Sequence, residues 1–218
     1  MNDSLFFILP RTSKNFLIIY FNRYKRKKNP NLEMLLSWRE SDKTKIKKIK
    51  NEMLTWLDGY NIYYNKAIVF DIDETCIHMD QHKNWYRDEE IFEIYKYALL
   101  HNFYIFFITA RRYSPQNQQY TISQLTSFGF NRYNGLFLMP NIRTVTKESV
   151  GLFKIYIRNL ICTNFHLLIA LNIGNSWHDL LTEPLLSAVQ KTSSDLIVTF
   201  QTNAEPNVGL QLKLPEHK

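Results

Sequence analysis

Asp71 and Asp73 stand two residues apart at the end of an apolar run, Ala67-Ile68-Val69-Phe70. On an extended strand, residues i and i+2 project to the same side, so the two carboxylates stand together. Two such anions repel unless a cation or a proton separates them. The pair therefore suits a Mg2+ site combined with a nucleophile and a proton donor. A polar turn after a buried strand is the plain structural alternative, because a lone Asp-x-Asp is a short motif.

The elements around the pair decide between these readings. The run before Asp71 has the character of a strand buried on both faces, as in a parallel sheet. Open α/β sheets bind their ligands at the carboxyl ends of such strands. Residues 103–109, 135–139, 166–173 and 196–200 read as further strands. Apolar periodicity predicts helices over 32–57, 88–101, 116–127, 149–164 and 177–191, the last kinked or divided at Pro184. A loop carrying His78, His82 and Trp85 follows the first strand. Alternating strands and helices imply an α/β fold with a mainly parallel sheet and right-handed crossovers.

The 218 residues make one domain. Residues 32–218 form it, with 32–61 as a helix packed on its surface, and residues 1–31 are a basic, aromatic extension. The apolar fraction of 45% suits a globular core. The formal charge is +7, much of it in Arg23-Tyr24-Lys25-Arg26-Lys27-Lys28 and in residues 43–50. Such runs contact nucleic acid or an anionic surface, or they solvate a helix face. Two cysteines, Cys76 and Cys162, exclude a disulfide framework and point to a reducing, cytoplasmic compartment. Pro10, Arg11 and Lys14 divide the apolar N-terminal residues, so neither half spans a bilayer or makes a secretory signal. The histidines are too dispersed for a zinc site.

The run Phe70-Asp71-Ile72-Asp73-Glu74-Thr75 resembles the first motif of the haloacid dehalogenase-like (HAD) phosphohydrolases, in the form found in class B and plant acid phosphatases. The second motif, an apolar strand ending in Thr or Ser, is matched by Tyr104-Ile105-Phe106-Phe107-Ile108-Thr109. The third, a Lys, is matched best by Lys154, with Lys147 as competitor. The fourth, usually Gly-Asp-x-x-x-Asp, reads Gly174-Asn175-Ser176-Trp177-His178-Asp179. The resemblance covers most of residues 62–215. It implies a three-layer Rossmannoid fold and a Mg2+-dependent phosphatase acting through an aspartyl-phosphate. Residues 76–102 and 112–153 hold only core elements, which leaves no room for a cap domain and makes the site open.

By that resemblance Asp71 is the nucleophile, and Asp73 protonates the leaving oxygen and then activates water. Thr109 donates to the phosphate, and Lys154 neutralises developing charge. The metal ligands are Asp71, the Asp73 carbonyl, Asn175 and Asp179. Asn175 departs from the family pattern by offering a neutral oxygen where Mg2+ prefers a charged one. The alternative function is a catalytically impaired HAD-like protein that binds nucleic acid or a protein partner through its basic N-terminal third.

Overall fold

A computed structural model describes residues 34–39, 46–142, 144–180, 197–202 and 207–214. The expected 1–31 extension, its basic run, and the greater part of the expected 177–191 helix lie outside the described residues.

Seven strands form one sheet in the order β1-β8-β9-β7-β2-β5-β6. They are β1 (Met34–Arg39), β2 (Lys66–Phe70), β5 (Tyr104–Arg112), β6 (Gly135–Met139), β7 (Leu168–Gly174), β8 (Ile197–Thr202) and β9 (Val208–Lys213). A separate hairpin pairs β3 (Ile77–Met79) with β4 (Trp85–Arg87). The helices are α1 (Ile46–Asp58), α2 (Glu89–Leu100), α3 (Pro115–Ser127), α4 (Lys147–Asn164) and the single turn α5 (Trp177–Leu180). Strands β9, β7, β2, β5 and β6 run parallel.

Side-chain alternation builds the three expected layers. Ile68 and Phe70 face a core shared with Ile49, Met53 and Leu57 of α1, Ile91 and Ile94 of α2, and Leu125 of α3. Ala67 and Val69 face a second core with Val150, Phe153, Ile157 and Ile161 of α4. Every residue of β2 is buried, which is why it reads as a continuous apolar run. Helix starts follow capping chemistry: Asp88 caps α2, Ser114 caps α3 with Pro115 at its first position, and Thr146 with Ser149 closes a reciprocal box on α4. Gly129, at φ +88°, turns the chain after α3.

Three expectations are corrected. Residues 32–57 are not one helix, because Met34–Arg39 is an edge strand antiparallel to β8. Helical apolar spacing is sustained only from Ile46 onward, and sheet pairing overrides the weak signal before it. Strand β8 is antiparallel to β9 rather than a fifth parallel strand, and that place is taken by β9. The connection 203–207 is too short for a parallel crossover, which needs about a dozen residues. Finally, the loop after Thr75 contains a hairpin, turned by Asp80, whose Oδ1 accepts from the His82 and Asn84 amides, both at 2.8 Å. Among the described residues, the segments between β2 and α2 and between β5 and α4 hold no inserted domain.

The Asp88 carboxylate accepts from the Glu90 and Ile91 amides at 3.0 Å and also lies 3.3 Å from the buried His78 imidazole. Asp88→Ala should lower the unfolding free energy by about 1 kcal/mol, while Asp88→Asn, which keeps the cap, should lose less. Urea denaturation of the two variants measures the difference.

Candidate active site

The carboxyl ends of β2, β5 and β7 lie side by side, and α4 packs across one face of these strands. The chain leaves β2 at Asp71, whose amide donates to the Ile173 carbonyl at 2.9 Å. Asp71 is therefore pinned beside the end of β7, across from residues 174–179.

Lys154 joins these two segments. Its Nζ donates to Asp71 Oδ1 and, at 2.8 Å, to Asp179 Oδ1. All three side chains are buried. Burial pushes the Asp71 carboxyl up to about 7; the Lys154 ammonium opposes this, and the Asp179 and Asp73 carboxylates add to it. Burial alone would lower Lys154, but Asp179 and Asp71 outweigh it and hold the ammonium above its ordinary range. The Thr75 hydroxyl donates to Asp71 Oδ2 at 3.2 Å. Lys147, the competing lysine, opens α4 and is exposed about two turns earlier. Lys154 lies inside the helix rather than at its start.

Asp73 faces a different partner. Arg111 clamps it through Nε and Nη2, with contacts of 2.6–3.2 Å, a bidentate ion pair. Gln124 accepts from Arg111 Nη2 at 2.6 Å, and the Thr121 hydroxyl lies 3.2 Å from Nη1. A register shift between Thr109 and Arg112 aims this arginine. It is a bulge at the sheet rim, where such irregularities redirect side chains. Thr109 is buried, with its hydroxyl 3.4 Å from Asp73 Oδ2 and accepting from the Arg111 amide at 3.2 Å. Nothing local in the sequence assigns Arg111 this place, because a bulge has no local apolar signature.

The segment after β7 depends on Gly174. A Cβ there would stand 2.7 Å from the Asp179 Cβ, so only glycine lets that residue fold back. The Ser176 amide then donates to Asp179 Oδ2 at 2.9 Å. Both Asp179 oxygens are thereby occupied, and Asp73 is turned toward Arg111. Accordingly, no cluster of three carboxylate, imidazole or thiol groups converges on a metal-sized space among the described residues. Both Asp71 oxygens are likewise engaged, by Lys154 and Thr75, and the oxygens that could receive a cation are the remaining lone pairs of Asp71, the Asp73 carbonyl and the Asn175 amide. Asn175 is half-buried, and no hydrogen-bond partner is found for its side chain among the described residues. An all-oxygen set of this kind suits a hard divalent cation, with one fewer charge than Mg2+ prefers.

One further residue, Arg158, escaped sequence reasoning, while Glu74 of the first motif takes an unusual backbone conformation. Glu74 adopts φ +55° and lies 3.3 Å from the Nδ1 of His78, a histidine buried in the hairpin. Arg158, one turn after Lys154, is also buried. Trp177, the first residue of α5, is buried, with the Lys213 ammonium 5.5 Å from its ring centre. Of the basic residues ahead of β2, Lys50 is paired with Glu90 at 2.9 Å. No helix among the described residues is long and apolar enough to cross a membrane.

Compared with known proteins, residues 81–202 match the model of the HAD superfamily, subfamily IIIB (acid phosphatase), more than half of the chain. The matched span contains Thr109, Lys154, Asn175 and Asp179, while Asp71 and Asp73 precede it. Nucleic-acid binding gains no support from that match. No curated protein matches the chain.

Replacing Lys154 by Met would leave two buried carboxylates facing each other without their cation. The loss should be about 3–5 kcal/mol near neutral pH. The deficit should shrink as pH falls. Asp71 already takes up a proton near pH 7 beside the ammonium, and without it the carboxyl rises further, so acid neutralises the repulsion. Thermal unfolding of both proteins at pH 8 and pH 5 tests the sign.

Proposed function

Because the chain belongs to the acid phosphatase subfamily IIIB of the HAD superfamily, we propose that it hydrolyses phosphomonoesters through an aspartyl-phosphate on Asp71, with Mg2+ as cofactor. The observation that carries this reading is Lys154 reaching Asp71 and Asp179 together. A buried ammonium against a strand-end carboxylate both favours its ionised form and stands ready for anionic phosphate oxygens.

In the first step an Asp71 oxygen attacks phosphorus, the ester oxygen departs, and Asp73 gives that oxygen its proton. In the second, Asp73 takes a proton from water as the water oxygen attacks phosphorus and releases Asp71. Thr109 donates its hydroxyl to a phosphate oxygen. Arg111 is engaged by Asp73 in the free protein, and an arriving phosphate dianion competes for its planar fork of donors. That exchange releases Asp73 from its ion pair, so that its carboxylate can take up from solvent the proton it delivers to the leaving oxygen, and it orients the phosphate at the same time. Asp71, the Asp73 carbonyl and Asn175 would hold Mg2+, with Asp179 held behind them by Lys154. The cation would neutralise phosphate charge and orient the reacting oxygens. The substrate class is the phosphomonoester.

Hydrolysis of an aryl phosphate with and without Mg2+ tests the reading. Asp71→Asn should reduce turnover to that of buffer, and Asp73→Asn should cost about 10²–10⁴-fold in kcat. Absence of turnover across a panel of phosphomonoesters would overturn it.

The neutral Asn175 favours one other reading, a site that has lost catalysis and retained binding. Asn175→Asp adds a charged oxygen and should lower the Mg2+ concentration at half-maximal activity or stabilisation. A Mg2+ response in the mutant and none in the wild type would establish the impaired site instead.

A further inference from the structure

Arg158 and Lys154 are four residues apart on α4, so their side chains leave the same helix face. Arg158 is 1% exposed, and a cation so buried must be met by acceptors. Its Nη1 donates to the Asp179 carbonyl at 2.9 Å and its Nη2 to the Leu180 carbonyl at 3.1 Å. Lys154 holds the carboxylate of the same Asp179 at 2.8 Å. One helix therefore grips both the side chain and the main chain of one residue.

The consequence falls on residues 174–180. At the start of this segment, Gly174 admits the Asp179 side chain and the Ser176 amide donates to it. At its end, the last carbonyls of α5 are satisfied by the Arg158 fork. These contacts hold the orientation of the described turn. Asn175 lies between the two holds.

We infer that Arg158 is a positioning residue for the cation site, setting where Asn175 presents its oxygen. The inference rests on the phosphatase reading given above and assigns Arg158 no contact with substrate or metal. Two successive carbonyls are matched by a guanidinium, which donates twice in one plane; a lysine offers one compact point charge. Partners that orient metal ligands in this way typically govern affinity about 10–100-fold.

The test is a Mg2+ titration of the full chain, read by thermal stabilisation and separately by aryl phosphate turnover. It compares wild type, Arg158→Lys and Arg158→Met, each also carrying Asn175→Ala. Arg158→Met should raise the Mg2+ midpoint about 10–100-fold while kcat at saturating Mg2+ recovers to near wild type. Arg158→Lys should fall between them. With Asn175→Ala in place, the Arg158 substitutions should change the midpoint little, because the group they position is gone.

A folded Arg158→Met with lowered melting temperature and an unchanged Mg2+ midpoint would overturn the inference, as would an effect of equal size in the Asn175→Ala background. If Arg158→Met does not fold, Arg158→Lys decides on the same two readouts. Wild-type protein that is stabilised by Mg2+ but shows no turnover refutes the hydrolase reading alone. Wild-type protein with neither response refutes both.

Discussion

The buried ammonium of Lys154, shared by Asp71 and Asp179, is the interaction on which the rest of the site depends. Taking three ions out of water is costly, and the expense is recovered only if geometry is good and the remaining lone pairs are met. Here Thr75 meets Asp71 and the Ser176 amide meets Asp179. The cluster still carries net negative charge, and Asp71 keeps a carboxyl shifted up to about 7. That residual charge would attract a cation. It also explains why the cluster sits on strands and a long helix, since elements with satisfied backbones can hold like charges together.

Around this centre the fold separates two jobs. Asp71, on the α4 side, is held by a cation within the buried core. Asp73, nearer solvent, is held by Arg111, itself braced by Gln124 and Thr121. Two carboxylates two residues apart thus acquire opposite surroundings.

Much of this was legible in the sequence. The buried strands β2 and β6 announce themselves as unbroken apolar runs, and Gly135–Met139 is placed to the residue. Apolar periodicity located α2 and α3 within a residue or so. Asp71, Lys154 and Asp179 are linked in one cluster and Asp73 and Thr109 in another, and Asn175 lies on the β7–α5 turn. What stayed hidden depends on contacts between distant residues. The edge strand β1 exists because β8 pairs with it, and nothing within Met34–Arg39 announces that partner. The direction of β8 follows from its short link to β9. The bulge that aims Arg111 is a mismatch between β5 and β6 and belongs to neither strand alone. Arg158 looks like an ordinary helix-surface arginine until α5 is laid across it.

The same separation along the chain has a temporal side. Lys154 and Asp71 are 83 residues apart, and β2 must find β7, about a hundred residues downstream, before Asp179 can be reached. Closing loops of that length costs entropy before any contact rewards it. On a ribosome, Asp71 emerges and is hydrated long before its cation and its second carboxylate exist. The hairpin, α2 and β5 can gather around β2 in the meantime. A chain interrupted just before Asp179 would possess Asp71, Lys154 and most of the apolar core, yet Lys154 would lack its second carboxylate.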